Sequence, residues 1–293
     1  MKTDNILTLP DGRNLSYAEF GNPEGFPVFY SHATPSSRLE PLFLGEDTFS
    51  RLGLRVICPD RPGIGNSSFQ EKRGLSDWPE DVKFLAQNLG LNQFSVLGIS
   101  GGGAYAAVCA ARIPEYLSKV VIASGSWRID SEAVGKIGFP MNMMWQVTRY
   151  APIFLPPLIK ALTRGMSQTP NGQNEGSSTP PDKYFPAADH AIMSRPGRLE
   201  MNQQVMEEVL RQGTRGVVWD YRLCVREWDF DLAEIRMPVV LFHGELDRNY
   251  PLELTRKVAN KFSDAQLLVY PEDGHISTYT NHFEDIARTL LPD

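Results

Sequence analysis

Ser100, Asp247 and His275 supply the three residue types that acyl transfer requires: an oxygen nucleophile, an acid and a base. Ser100 lies in Gly98-Ile99-Ser100-Gly101-Gly102, between the apolar run FSVLGIS and the small-residue stretch GGGAYAAVCAARIP. GxSxG by itself recurs by chance, but between a strand and a helix it has a mechanical reading. A sharp strand-to-helix turn strains the serine backbone, and bulky residues two before or two after it would collide. Such a turn presents the hydroxyl at the C-terminal edge of a sheet, above a helix N-terminus that favours developing negative charge. The competing reading is a helix-capping serine in a glycine-rich turn.

A serine nucleophile needs a base, and the chain has five histidines: His32, His190, His243, His275 and His282. His275 follows Gly274 in a loop after a strand-like run, which places it on the same sheet edge as Ser100. His282 falls in the last helix, His190 beside a polar stretch, and His243 reads as a buried structural histidine. Asp247 lies 28 positions before His275, in the loop after the preceding strand. A helix and a strand fill that interval, so both side chains return to one edge of a parallel sheet, where catalytic groups gather. Glu245 is nearer the strand, and Glu272 and Asp273 are too local to His275. Asp130, in the loop after the strand ending near Ser124, is the serious rival. A third loop, His32–Arg38, offers an N–H donor at Thr34 to pair with that of Gly101 in an oxyanion hole.

The elements that must position these residues are visible in the hydrophobic pattern. Pro27–His32, Leu54–Asp60, Phe94–Ser100 and Leu117–Gly125 are strand-length, near-continuously apolar runs, as expected of parallel strands covered on both faces. Leu7 and Leu9 against Leu15 and Tyr17, around Asp11-Gly12, predict an opening hairpin. Ser76 or Asp77 starts a helix carrying Trp78, Val82, Leu85 and Leu89, and Gly90 ends it. Pro238–Asp247, a helix from Pro251, Gln266–Tyr270 and a terminal helix with Phe283, Ile286 and Leu290 resume the alternation. Residues 126–236 break it and read as a mainly helical insertion dividing a core of 1–125 and 237–293. Within it Met141–Leu162 is apolar and proline-interrupted, Ser167–Pro186 reads as a loop, and Leu199–Leu210 is amphipathic. Alternation at both ends predicts a doubly wound α/β sheet.

Composition narrows the function. The 293 residues are 42% hydrophobic and carry a formal net charge of −6, without the basic patch that nucleic-acid binding needs. The chain has no stretch of about 18 apolar residues, so no membrane span is expected, and its start lacks a signal-peptide pattern. Three cysteines without CxxC spacing argue against a disulfide framework or a zinc cage. A cytoplasmic globular protein acting on a small molecule, with no cofactor and no metal, is the expectation.

GISGG, HGELD, DGH before the last helix and DRPGIGNS (Asp60–Ser67), together and in order, resemble the α/β-hydrolase fold superfamily over nearly the full chain. The similarity is to its members with a helical cap inserted after the sixth strand. The resemblance implies Ser100 as nucleophile, Asp247 as acid, His275 as base, and Thr34 and Gly101 as oxyanion donors. In one departure, His32-Ala33 stands where these proteins usually have His-Gly, placing a methyl group in the oxyanion loop. A serine elbow sets the chain apart from the fold's dehalogenases and epoxide hydrolases, which use aspartate.

The resulting expectation is a serine hydrolase cleaving a small, apolar ester or related acyl compound. The rivals are a proline-iminopeptidase-like exopeptidase, for which Glu200, Glu207 or Glu208 would bind the substrate's amino terminus, and a small-molecule binding protein. Met141, Met143, Met144, Trp145, Tyr150, Phe154 and Leu155 crowd the insertion, and Met144 and Trp145 are the residues expected in the acyl pocket. The acidic limb of activity is expected near the unperturbed histidine value of roughly 6.5.

Overall fold

The computed structural model describes residues 1–167 and 185–292. Strands β1 (Lys2–Thr8), β2 (Asn14–Gly21), β3 (Phe26–Ser31), β4 (Leu54–Pro59), β5 (Phe94–Ile99), β6 (Leu117–Ala123), β7 (Val239–Gly244) and β8 (Ala265–Tyr270) form one sheet. Its order is β1-β2-β4-β3-β5-β6-β7-β8, parallel from β4 to β8. The opening hairpin is present: β1 and β2 pair antiparallel with Leu7 opposite Leu15, and Gly12 turns the chain at φ +84°.

Helices α1 (Glu46–Arg51), α2 (Trp78–Asn88) and α3 (Gly102–Arg112) precede β6. Between β6 and β7 lie α4 (Ser131–Lys136), α5 (Met141–Tyr150), α6 (Leu155–Ser167), α7 (Ala187–Met193), α8 (Arg198–Leu210) and α9 (Arg215–Val225). Helices α10 (Leu252–Ala259), α11 (His275–Asn281) and α12 (Phe283–Leu290) complete the core. Every residue of β5 is buried, because helices cover both faces. Val96 joins Val82 and Leu85 of α2 and Ala106 of α3 on one side. Its neighbour Leu97 joins Phe49 of α1 and Ile286 and Leu290 of α12 on the other, the two-residue alternation of a strand.

Several local details differ from the sequence reading. Asp77 precedes α2 but makes no capping bond; its carboxylate accepts the Gly74 N–H at 2.7 Å instead. Gly90 follows α2 at φ +71°, the left-handed stop expected there. His275 is the first residue of α11 rather than a loop residue, and His282 separates α11 from α12.

In the insertion, Pro152, Pro156 and Pro157 interrupt the run Met141–Leu162 as expected, and they do so by standing at helix starts. Pro140 precedes α5, Pro152 opens a short 3-10 turn, and Pro156 and Pro157 occupy the first turn of α6, where a missing N–H has no helical partner to lose. Val205, Met206 and Val209 of α8 are buried with Leu155 and Ile159 of α6 and Val217 and Tyr221 of α9. Most of the loop expected over Ser167–Pro186 lies outside the described residues. Among the described residues no helix is long and apolar enough to cross a membrane.

Candidate active site

Four parallel strands end at one edge of the sheet, and each leads into a segment that carries candidate chemistry. β3 leads into His32–Arg38, β5 into Ser100, β7 into Asp247 and β8 into His275. Ser100 adopts φ +50°, a left-handed conformation costly for a residue with a Cβ and found where surrounding structure enforces it. The glycines two residues away permit the turn. A Cβ on Gly102 would stand within 2.8 Å of the His32 carbonyl oxygen and collide with that of Ser31, while one on Gly98 would stand 2.7 Å from the Gly102 carbonyl oxygen.

Ser100, His275 and Asp247 form a continuous hydrogen-bonded relay. Ser100 Oγ is 2.9 Å from His275 Nε2, and His275 Nδ1 is 2.7 Å from Asp247 Oδ2. A carboxylate only accepts, so Nδ1 carries the proton and Nε2 is left to accept from the serine. The other Asp247 oxygen accepts the backbone N–H groups of Asn249 (2.8 Å) and Tyr250 (2.9 Å), which fixes the carboxylate plane. Burial opposes ionisation of Asp247, yet the charge and hydrogen bond of His275, then the neighbouring His243 ring and the Tyr250 N–H, hold its carboxyl below the usual range. Burial alone would lower the His275 pKa. The charge and hydrogen bond of Asp247, then the charges of Asp189 and Glu40, outweigh burial and raise it above the ordinary 6.5. The expectation of an unperturbed histidine is corrected accordingly.

The rival residues have other employment. Asp130 caps α4, accepting the Ala133 N–H at 2.9 Å. His243 is fully buried, with Nε2 2.8 Å from the Tyr250 carbonyl oxygen and 3.5 Å from Asp247 Oδ2. His282 pairs with Asp273 at 2.7 Å, and His190 and Glu245 are exposed.

The β3 loop is anchored so that one donor stays free. Arg61, buried after β4, donates through Nη1 to the His32 carbonyl and through Nη2 to the Ala33 carbonyl (2.8 Å) and Thr34 Oγ1 (2.7 Å). Glu40 accepts the Ala33 N–H at 2.7 Å. The Ala33 methyl group packs against the apolar cluster of the α1 and α12 side. A Cβ built on Gly101 would lie 2.7 Å from Thr34 Oγ1 and 3.3 Å from Thr34 N, so the two backbones stand side by side. Among the described residues neither the Thr34 nor the Gly101 N–H has an acceptor. His32, buried beside Arg61, has its pKa well below 6.5, burial being the main cause, and stays neutral.

Sequence reasoning missed several residues that build this site. Ser126 Oγ lies 3.3 Å from Ser100 Oγ. Asp220 of α9 accepts from Arg61 Nε (2.7 Å), Tyr105 Oη (2.9 Å) and Arg73. Asp189 of α7 accepts the backbone N–H of His275 at 2.9 Å. Arg61 lies within the DRPGIGNS motif, a signal that it matters; nothing in the sequence singles out Asp189 or Asp220. Met144 and Trp145 are each 4% exposed, and the Trp145 ring packs against Tyr221 with centroids 5.3 Å apart. Tyr150 and Phe154, by contrast, are 70% and 64% exposed. On α5 positions 144, 145 and 148 share the inner face, and Met143 and Tyr150 fall outside it.

The alpha/beta hydrolase fold model matches residues 27–281. The bifunctional esterase/perhydrolase of Acinetobacter calcoaceticus is 25% identical over 304 residues, covering 97% of each chain. The 2-hydroxy-6-oxo-6-phenylhexa-2,4-dienoate hydrolase of Burkholderia cepacia is 25% identical over 248 residues, covering 83% of this chain and 78% of its own. Among solved structures, a hydrolase from Pseudomonas aeruginosa superposes with a TM-score of 0.68 at 18% identity, covering 98% of this chain and 97% of that one. A mostly parallel sheet with its elbow serine, the order Ser…Asp…His along the chain, and a family match across most of its length lead to one assignment: the chain belongs to the alpha/beta hydrolase fold family.

Proposed function

We propose that the protein is a serine hydrolase of small, apolar esters or related acyl compounds. The Ser100–His275–Asp247 relay carries this reading. His275 Nε2 takes the Ser100 proton as Oγ attacks the carbonyl carbon, and Asp247 stabilises the imidazolium that forms. The N–H groups of Gly101 and Thr34 receive the oxyanion. The imidazolium then protonates the leaving alcohol, and water, activated by the same histidine, releases the acid from the acyl-enzyme. The esterase activity in the name of the Acinetobacter relative supports the ester class.

In this reading residues 126–236 form a cap over the sheet edge, and Met144 and Trp145 belong to the wall of the acyl pocket. An exopeptidase would need a carboxylate for the substrate's amino terminus. Of the three offered by α8, Glu208 is engaged by Arg38 and Arg211, and Glu200 and Glu207 are exposed. The ester reading needs none.

A fluorophosphonate probe followed by peptide mapping tests the proposal. The expected result is an adduct on Ser100 in the wild type and none in Ser100→Ala, with turnover of p-nitrophenyl esters abolished in the folded variant. A folded wild type that takes no adduct would turn the reading to a binding protein, and faster cleavage of proline-nitroanilide than of esters would turn it to a peptidase.

A further inference from the structure

Three buried carboxylates of the helical insertion bridge to the core, and one reaches the backbone of the residue read as the base. Glu208 meets Arg38, and Asp220 meets Arg61. Asp189, 1% exposed on α7, covers the start of α11. Its Oδ2 accepts the His275 N–H at 2.9 Å. Its Oδ1 accepts the N–H groups of Ile276 (3.0 Å) and Ser277 (2.8 Å) and the Ser277 hydroxyl (2.7 Å). Ser277 Oγ in turn accepts the Gly274 N–H at 2.8 Å.

The N-terminal residue before α11 is Gly274, which has no side chain with which to cap the helix. A carboxylate from 85 positions earlier in the chain does so instead. The glycine is what lets it approach: a Cβ at 274 would lie 2.5 Å from Asp189 Oδ2. At the other end of the same residue, the His275 carbonyl accepts Ser124 Oγ at 2.7 Å. The histidine backbone is therefore held at both its N–H and its C=O, with the ring spanning Ser100 and Asp247.

We infer that Asp189 is a positioning residue for His275, so that the insertion, and not the core alone, sets the geometry of the base. Charge-assisted bonds to three backbone N–H groups fix the first turn of α11 more firmly than a neutral cap would. Misplacing a reacting group by about 1 Å costs up to ~10²-fold in rate. The inference rests on the serine-hydrolase reading above.

The test compares Asp189→Asn with wild type and with Gln212→Ala. The latter loosens a different insertion–core contact, the bonds from Gln212 Nε2 to the Gly65 and Ser67 carbonyls. The readouts are the rate of fluorophosphonate labelling of Ser100, kcat and KM on a p-nitrophenyl ester, and the pH dependence of kcat/KM. Asp189→Asn keeps an acceptor but turns an NH₂ toward backbone donors. It is expected to slow labelling and lower kcat by about ten- to a hundredfold, with KM changed far less. The acidic limb is expected to move to lower pH, because a negative charge that favours the imidazolium is gone. Gln212→Ala is expected to leave the limb in place.

A normal labelling rate and an unmoved limb in Asp189→Asn would overturn the inference, as would an equal rate loss in Gln212→Ala. If Asp189→Asn does not fold, Ser277→Ala removes one of the four contacts and is read in the same way. Labelling slowed severalfold supports the inference, and wild-type labelling overturns it. Failure of the wild type itself to label Ser100 would instead remove the serine-hydrolase reading.

Discussion

Arg61 Nη2 and Thr34 Oγ1 meet at 2.7 Å, and the same guanidinium spans the carbonyls of residues 32 and 33. One planar cation thereby holds the loop whose Thr34 N–H faces Gly101. Asp220 and Arg73 complete a buried network around it, and the charge of Asp220 offsets the cost of burying Arg61.

Arg61→Lys tests that relationship. Lysine keeps a positive charge near Asp220 but cannot form the planar fork that meets two carbonyls and a hydroxyl. We expect kcat on an ester to fall toward the roughly 10²–10³-fold that loss of one oxyanion donor costs, with KM less affected. Steady-state kinetics beside a thermal melt check this. An unchanged kcat in a folded variant would mean that the loop keeps its shape without Arg61.

The assignment of the acid separates two aspartates. Asp247→Asn is expected to lower kcat by about 10⁴, the size of the effect in a related triad, because an amide favours the wrong imidazole tautomer. Asp130→Asn is expected to leave kcat within a few-fold, since its Oδ1 serves the Ala133 N–H and asparagine also caps helices. The reverse ranking would show that the acid is misassigned.

The pH profile should reflect the raised pKa of His275. Only neutral imidazole accepts the serine proton, and the facing carboxylate of Asp247 favours the imidazolium. Activity on a neutral ester is therefore expected to fall, as pH is lowered, through a midpoint above the ordinary 6.5. Replacing Asp247 by Asn should shift that midpoint downward. A kcat/KM titration with the midpoint at or below 6.5 in the wild type would contradict the electrostatics.

Acyl-chain preference tests the inner face of α5. With Met144 and Trp145 in the acyl pocket, kcat/KM should rise from acetyl to medium-chain esters. Each methylene contributes up to roughly 0.8 kcal/mol until the pocket is full. Met144→Ala and Trp145→Ala should change this profile, whereas Tyr150→Ala, at an exposed position, should not. A steady fall from acetyl upward that neither inner substitution alters would place the acyl pocket elsewhere.

The relay residues were legible in the sequence because local rules set most of their surroundings. Short apolar runs mark parallel strands, the strands end at one edge, and Gly98, Gly102 and Ser100 describe a turn that few other residues can make. Position in the connections after successive strands then separated Asp247 and His275 from most of their competitors. Asp130 stayed a rival because sequence separation cannot distinguish a helix cap from a partner of His275; in the structure Asp130 accepts the Ala133 N–H, and Asp247 meets His275.

What belongs to docking rather than to local pattern was not readable. Hydrophobic periodicity reports which face of a helix is buried, not which polar group on that face meets a distant loop. Asp189 and Asp220 look like ordinary helix carboxylates until α7 and α9 settle on the core, where one caps α11 and the other pairs with Arg61. The same limit grouped Tyr150 and Phe154 with Trp145, since composition records apolar content, while in the structure the phase of α5 leaves Tyr150 off its inner face and Phe154 lies in the 3-10 turn beyond it. Sequence by itself determined the candidate residues Ser100, Asp247 and His275 and their shared sheet edge; the tertiary structure decided how the insertion meets them, because those contacts join segments whose relative placement no local periodicity encodes.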